Sequence, residues 1–352
     1  MLNVYTQIPD LTNVQRKYLV DILKPIFPKK RLAKYGLVED YINLVASPKS
    51  SDYFILPFCW NYYLKTNSTR IAEKNILEAK KARKKILIWV TGDYYIPLPK
   101  YDNIISLYSS PYKSKQNMGT LALPVIIQDP LTFLGLDTIN LQNYTEIPFI
   151  GFCGQSDPDL IISSIKMTKL VWQNIKYSLH LSKHYSGPTK PPTYLRKKIL
   201  DILEKSTRIH SDFIRRKKYQ GGISKEEDNF KNIKKEFYKN IVHTQYTLCI
   251  RGTGNFSARF YETLALGRIP VFVNTDCMLP FEDQINWGKH IVCIEQNKIS
   301  EIETKVAEFH GNLNQDSLAH IQKMNRELWQ NKFSFSGFIR QLTSNLKETI
   351  NS

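Results

Sequence analysis

Residues 246–273 read YTLCIRGTGNFSARFYETLALGRIPVFV, and this stretch decides the fold. Two apolar runs of strand length, Tyr246–Ile250 and Pro270–Val273, enclose a glycine-containing loop and a helical segment. Ser257 is placed to cap that helix, and Gly267 suits the position just past its end. Gly252 and Gly254 are expected to allow positive φ and a close approach to a ligand. The pattern predicts strand, glycine loop, helix and strand.

Such a unit brings helix N–H groups, the positive end of a helix dipole and two arginines to the carboxyl edge of a sheet. These groups suit a phosphate ester. Two-glycine loops are common in α/β proteins, however, and this one lacks the lysine of a P-loop and the third glycine of a dinucleotide fingerprint. The predicted ligand-binding residues of the loop are Arg251, Gly252, Thr253, Gly254, Asn255, Ser257 and Arg259.

Glu262 lies one turn from two alanines, Ala258 and Ala265, on a helix face with small neighbours. A carboxylate there can accept hydrogen bonds from both hydroxyls of a ribose, as acidic residues do in nucleotide sites. The alternative is an exposed first-turn glutamate that is favoured by the helix dipole. We predict that Glu262 binds the ribose or the donor sugar.

These residues resemble the signature of exostosin-type glycosyltransferases. The resemblance is dense over residues 238–292 and looser at 51–58 (SDYFILPF) and 149–154 (FIGFCG), where Gly154 is similar to the glycine turn of a donor domain. The dense part rests on Arg251-Gly252, Ser257, Arg259-Phe260, Glu262, Gly267, Ile269-Pro270-Val271, Leu279-Pro280-Phe281, Ile285 and Trp287. Arg268 stands where the family usually has cysteine, and Cys249-Ile250 stands where a proline is common.

The resemblance implies a GT-B-like α/β fold, with two Rossmann-like, doubly wound domains facing a cleft. Alternating strand-like and helix-like runs agree with parallel sheets that are covered on both faces. We predict an acceptor-side domain over 1–145, a nucleotide-sugar domain over 146–334, and a final helix over 335–352 that returns to the first domain.

The composition is that of a globular protein with a strong positive charge. The chain has 352 residues and a net charge of +17, and the charge favours anionic partners. We find no nucleic-acid recognition module, so an anionic membrane surface is the better partner. Neither a signal peptide nor a membrane span is visible. We expect a cytoplasmic bacterial protein, and the inner face of the membrane is a candidate site of its association.

The cysteines and acidic residues do not indicate a metal site. Five cysteines are widely spaced without a Cys-x-x-Cys pair, which predicts buried free thiols. Asp157-Pro158-Asp159 matches a three-residue metal motif of GT-A glycosyltransferases, but Asp followed by Pro is also a common helix start. We favour the helix start and predict no metal and no cofactor.

The predicted reaction transfers a sugar from a nucleoside diphosphate sugar, preferably a UDP-sugar, to a hydroxyl of an oligosaccharide or lipid-linked glycan. Fixed positive groups would stabilise the leaving diphosphate. Asp93 follows a predicted strand and is the candidate general base, although Asp52 and Asp129 also lie at strand ends. Alternatives are a GDP-fucose-dependent fucosyltransferase-like enzyme and a non-catalytic basic glycan-binding or scaffold protein.

Overall fold

The structure is a computed structural model. It describes residues 1–8, 11–27, 29–117, 119–156, 160–182, 185, 187, 191–217 and 227–351. The chain divides into two compact units. Unit 1 comprises Met1–Ile126, Met278–Phe281 and Asn331–Ser352, and unit 2 comprises Ile127–Cys277 and Glu282–Gln330.

Unit 1 is built on a parallel sheet of six strands in its described part, in the order β2-β1-β3-β4-β5-β6. The central strand β4 is buried from Ile86 to Val90, as expected for a parallel strand covered on both faces. The strands are β1 (Leu2–Tyr5), β2 (Ile42–Leu44), β3 (Tyr53–Ile55), β4 (Lys85–Val90), β5 (Ile104–Tyr108) and β6 (Thr120–Ala122). The helices of the amino-terminal part are α1 (Asn13–Tyr18), α2 (Trp60–Lys65) and α3 (Thr69–Lys81).

The carboxyl-terminal helix belongs to unit 1. This helix, which we number α11 (Phe335–Asn351), buries Phe338, Ile339, Leu342 and Leu346 at helical spacing. The Tyr53 hydroxyl of β3 donates to the carbonyl of Leu346 at 2.9 Å. Phe281 packs against Phe338, which explains why Met278–Phe281 is part of this unit.

Unit 2 is built on a second parallel sheet, with five strands among the described residues, in the order β11-β10-β9-β7-β8. The strands are β7 (Phe149–Gln155), β8 (His210–Arg216), β9 (Tyr246–Cys249), β10 (Ile269–Asn274) and β11 (Val292–Glu295). The helices are α4 (Pro130–Leu134), α5 (Leu160–Ser178), α6 (Pro192–Glu204), α7 (Glu227–His243), α8 (Ala258–Ala265), α9 (Ile302–Gly311) and α10 (Gln315–Leu328). The predicted α/β fold with two parallel sheets is confirmed.

The amino-terminal segment of unit 1 ends at Ile126, earlier than the boundary at 145 that the sequence predicted. The segment that follows is anchored to unit 2 by α4, whose Leu131 packs with Tyr238, Ile241 and Leu266. Asp129, which caps α4, also pairs with Arg326 of α10 at 2.6 Å. These long-range contacts decide where unit 2 begins.

No helix in the described part of the chain combines the length and hydrophobicity that a membrane span requires.

A buried histidine links β9 to the segment before β7. The Tyr246 hydroxyl lies 2.8 Å from His310 Nδ1, and His310 Nε2 lies 2.6 Å from the carbonyl of Thr145. Because a carbonyl only accepts, Nε2 carries the proton and the neutral ring accepts at Nδ1 from the tyrosine. Burial lowers the pKa of His310 below its ordinary value of 6.5.

We expect the protein to lose stability as pH falls below about 6.5, because the unfolded chain then takes up a proton that the folded His310 resists. Melting temperatures measured from about pH 8 to about pH 5 should decline more for the wild type than for His310→Gln. His320→Gln, a change at an exposed position on α10, is the matched control and should keep the wild-type slope. Equal slopes for the wild type and His310→Gln would contradict the assignment.

Candidate functional site

The loop between β9 and α8 lies at the carboxyl edge of the unit 2 sheet. The strand, loop, helix and strand predicted for 246–273 are all present, and Gly267 follows the end of α8 with φ of 66°. A backbone hydrogen bond from Gly252 N to the carbonyl of Phe256, at 3.2 Å, closes the loop. Ligands of open α/β sheets bind at this edge, so the predicted residues are in a suitable place.

Arg251 is buried and its guanidinium folds back into its own loop. It donates to the carbonyl of Thr253 at 2.7 Å and to the side-chain oxygen of Asn255 at 3.3 Å. Both contacts lie within residues 251–255, so they order the loop. Arg251 therefore fixes the shape of the loop and contributes a cation to it.

Asn255 joins this loop to the end of β10. Its side-chain oxygen accepts from the Thr275 hydroxyl at 2.7 Å, and its amide donates to the carbonyl of Asp276 at 3.0 Å. The Cys277 thiol contacts the carbonyl of Asn255 at 3.0 Å. The buried Asn255 side chain thus positions two segments at the carboxyl edge, and any contact to a ligand would come from its backbone.

The glycines of the loop differ from expectation. Gly252 does not have positive φ, so the predicted left-handed conformation is wrong there. A Cβ on Gly252 would meet no heavy atom within 4 Å, which means that its backbone borders open space. Thr253 is exposed beside it, whereas Gly254 is buried.

Ser257 occupies the N-cap position of α8, but its side chain makes no capping hydrogen bond. The predicted capping role is therefore wrong for the side chain, although the position is right. Ser257 is buried.

Arg259 lies beneath the loop, against β7. Its guanidinium donates to the carbonyls of Cys153 at 2.6 Å and Leu248 at 3.2 Å, and it lies 4.2 Å from the ring centroid of Phe152. Desolvation by burial lowers the pKa of Arg259. A Cβ on Gly154 would come within 2.7 Å of Arg259 Nη2. Gly154 thus leaves room for the guanidinium of Arg259, a role that the glycine-turn pattern did not indicate.

Glu262 is partly buried on α8 and faces α7. Its carboxylate accepts a hydrogen bond from the Tyr238 hydroxyl at 3.3 Å. Burial raises the pKa of Glu262, while Arg259, Tyr238 and Lys234 oppose that shift. The alternative of an exposed first-turn glutamate is wrong, because the first turn of α8 contains no acidic residue.

Two residues that the sequence analysis did not assign complete this edge. Arg196 of α6 donates to the carbonyls of Gln155 at 3.1 Å and Arg251 at 2.8 Å, and so it joins the ends of β7 and β9. Ser156 is fully buried after β7, and its hydroxyl has no hydrogen-bond partner among the described residues. In the sequence Arg196 is part of a basic cluster. Its role could not be predicted, because its two acceptors are about 40 and 55 residues away along the chain.

Comparison with known proteins identifies the segment that carries this site. A sequence model of the Exostosin GT47 domain matches residues 183–309. By this match residues 183–309 are similar to an exostosin-type glycosyltransferase domain, and we call them the exostosin domain below. This match confirms the resemblance that the sequence indicated, and the domain contains Arg196, Arg251, Arg259 and Glu262.

Short stretches of the chain are also similar to plant glycosyltransferases. A probable glucuronosyltransferase of Oryza sativa subsp. japonica is 31% identical over 71 residues, which is 20% of this chain and 17% of that protein. The probable beta-1,4-xylosyltransferase IRX10 of Arabidopsis thaliana is 31% identical over 68 residues, 19% of this chain and 16% of that protein. The chain thus matches less than a fifth of the length of these relatives.

Solved structures resemble the whole chain only weakly. A glycosyltransferase from Rickettsia africae ESF-5 has 12% identity and a TM-score of 0.40, with 100% of this chain and 99% of that chain covered. TarM has 12% identity and a TM-score of 0.30, with 74% of this chain and 54% of that chain covered.

The three candidate aspartates lie outside the exostosin domain and have different surroundings. Asp93 is exposed in unit 1 after β4, and its backbone carbonyl accepts from the Ser110 hydroxyl at 3.1 Å. Asp52 accepts from the backbone N–H of Asn3 at 2.7 Å, and Asp129 caps α4. Asp93 as the general base stays a prediction.

The potential metal ligands of the chain are acidic residues and cysteines. Asp157-Pro158-Asp159 lies outside the described residues, and no group of three potential ligands occurs elsewhere in the described part. Four cysteines are free and buried, as predicted, and these are Cys59, Cys153, Cys249 and Cys277. Cys293 is exposed, which corrects the prediction for that residue, because it faces outward from β11.

Arg268 stands where the resemblance to exostosin-type glycosyltransferases would place a cysteine. It lies at the edge of the unit 2 sheet that is opposite the loop between β9 and α8. It is fully buried just before β10 and donates to the carbonyls of Asn140 and Val242, each at 2.7 Å. It also donates to the side chain of Gln322 at 3.1 Å. Burial lowers its pKa to about 10. Arg268 therefore braces unit 2 internally.

Proposed function

We propose that this chain is a glycosyltransferase that transfers a sugar from a nucleoside diphosphate sugar, preferably a UDP-sugar, to a glycan hydroxyl. One observation carries the proposal. Three arginines of the exostosin domain, Arg196, Arg251 and Arg259, meet the carboxyl ends of β7 and β9, where they donate to backbone and side-chain oxygens of the strand ends and of the loop before α8.

This arrangement suits the chemistry of a leaving diphosphate. Negative charge develops on the diphosphate as the glycosidic bond breaks, and preorganised positive groups stabilise that transition state. In the proposed complex, Arg251 and the backbone of the loop up to Ser257 face the diphosphate, and Arg196 and Arg259 hold the strand ends beneath it. Glu262 binds the ribose or the donor sugar. We assign the electrostatic role to these arginines, so the proposed reaction requires neither a metal nor a cofactor.

The acceptor in the proposed reaction is a glycan. The plant relatives are named as a probable glucuronosyltransferase and a probable beta-1,4-xylosyltransferase, which supports sugar transfer as the reaction of this chain. We propose an oligosaccharide or lipid-linked glycan acceptor, used in cell-surface polysaccharide assembly on the cytoplasmic side. In this scheme Asp93 of unit 1 takes the proton from the acceptor hydroxyl.

A thermal-shift screen tests the nucleotide. UDP and UDP-sugars are expected to raise the melting temperature, because a ligand at 100 times its Kd stabilises the folded state by about 2.7 kcal/mol. The shift should persist in EDTA, and GDP should give little or none.

The other outcomes identify the alternatives. A shift with GDP or GDP-fucose but not with UDP would indicate a fucosyltransferase-like enzyme. No shift with any nucleotide or nucleotide sugar would favour a non-catalytic glycan-binding protein. Loss of the UDP shift in EDTA would contradict the metal-free scheme.

A further inference from the structure

Helix α5 exposes several large apolar side chains to solvent. Trp172 is 60% exposed, Ile165 is 65% exposed, and Leu179, just past the helix, is 62% exposed. Across 164–178, the part of the helix whose side chains are described, no side chain is buried. Contiguous exposed apolar side chains mark interaction sites.

The exposed apolar side chains share one face. Ile165, Trp172, Ile175 and Leu179 follow one another at intervals of seven, three and four residues, which aligns them along a stripe. The partly buried residues Leu170, Gln173, Asn174 and Tyr177 lie about half a turn away. That second face contacts the rest of unit 2, since Asn174 donates to the carbonyl of Gly187 at 2.7 Å and Tyr177 packs on Tyr185. The apolar stripe therefore faces outward.

The sequence around the stripe is strongly basic. Residues 160–200 contain eight lysines and arginines and no aspartate or glutamate. Lys166, Lys169 and Lys176 are exposed on α5 itself. The +17 charge of the chain is thus concentrated partly beside an exposed apolar stripe.

We propose that α5 docks on an anionic lipid surface. In this arrangement the helix lies in the plane of the headgroups, the apolar stripe enters the acyl boundary, and the lysines contact lipid phosphates. Amphipathic helices with basic flanks and an outward tryptophan have this property. Pairing of two copies through α5 would bring two carboxylate-free basic segments together, and their repulsion disfavours a dimer. The proposal is independent of the transfer reaction.

Vesicle flotation of the full chain tests this surface. The protein should float with phosphatidylcholine vesicles that contain phosphatidylglycerol, remain behind with phosphatidylcholine alone, and bind more weakly at high salt. The triple variant Ile165→Gln, Trp172→Gln, Ile175→Gln should lower the partition coefficient about tenfold or more. A second triple variant combines Lys166→Gln, Lys169→Gln and Lys176→Gln. It should lower the partition coefficient by a similar factor, and only on anionic vesicles.

Helix α3 supplies matched controls. Ile71 and Leu77 are exposed there by 59% and 50%, and Lys74 and Lys81 are exposed as well. Two double variants serve as controls, Ile71→Gln with Leu77→Gln and Lys74→Gln with Lys81→Gln. Each should bind vesicles within about twofold of the wild type. Melting temperatures of all variants should stay close together, because none of these side chains is buried.

A spectroscopic readout keeps the test specific to α5. Trp60, Trp89 and Trp329 are buried and Trp287 is partly buried, so most of the blue shift of the emission on adding anionic vesicles should disappear in Trp172→Phe. The proposal is overturned if the wild type does not float with anionic vesicles, or if the α5 variants float like the wild type. It is also overturned if the wild type is a dimer by light scattering and the apolar variant is a monomer.

Discussion

Replacing Arg251 with alanine is expected to lower kcat/KM for sugar transfer about 10²–10³-fold, the usual effect of removing one preorganised charge stabiliser. The side chain supplies the cation at the turn where the leaving diphosphate is proposed to lie. It also holds Thr253 and Asn255, so its loss loosens the loop. Initial rates with the nucleotide sugar that gives the largest thermal shift provide the measurement.

Two variants separate charge from general disruption. Arg251→Lys keeps the charge but loses the two-pronged geometry, and its rate should fall between those of the wild type and the alanine variant. Arg215→Ala removes an arginine of β8 that pairs with Asp201 and Glu204, and its rate should be nearly unchanged. Wild-type turnover by Arg251→Ala would remove the loop from the proposed mechanism.

Glu262→Gln is expected to raise the Kd for UDP about 10- to 100-fold, since a hydrogen bond to a charged group contributes about 1.5–3 kcal/mol. The melting temperature should not fall, because burial raises the pKa of Glu262 and the folded chain therefore disfavours its charge. Glutamine keeps the shape and still accepts from the Tyr238 hydroxyl. Calorimetric titration with UDP measures the change.

The control for this substitution is Glu308→Gln, at an exposed position on α9, which should bind UDP like the wild type. If Glu262→Gln also keeps wild-type affinity, Glu262 serves only the packing between α7 and α8. A lower melting temperature together with weaker binding would point to the same structural role.

The central elements of unit 2 could be predicted because their pattern is local. The β9 and β10 runs are short, apolar and bounded by glycines, and α8 between them ends at Gly267. Strand β8 was missed, since residues 210–216 are mostly polar or charged and form the edge strand of the sheet among the described residues. Strand β1 was also missed, because four residues are too few to show a periodicity.

The site could be located from the sequence, but the orientation of its side chains could not. Arg251 and Arg259 stand at the predicted positions, yet their described partners are oxygens of the protein itself. Those partners include Cys153, 106 residues from Arg259, and a contact of that kind depends on the completed fold. Arg196 was missed for the same reason, as a lone arginine in a basic cluster resembles ordinary helix surface.

The place of α11 in unit 1 has a consequence for biosynthesis. The Tyr53 hydroxyl and the Leu346 carbonyl that it meets are 293 positions apart, so β3 leaves the ribosome long before its partner helix exists. Unit 2 is synthesised entirely within that interval. The surface of unit 1 that later packs against Phe338, Ile339 and Leu342 therefore stays uncovered until translation is nearly finished. Nascent chains stalled before residue 335 should accordingly depend on chaperones for solubility.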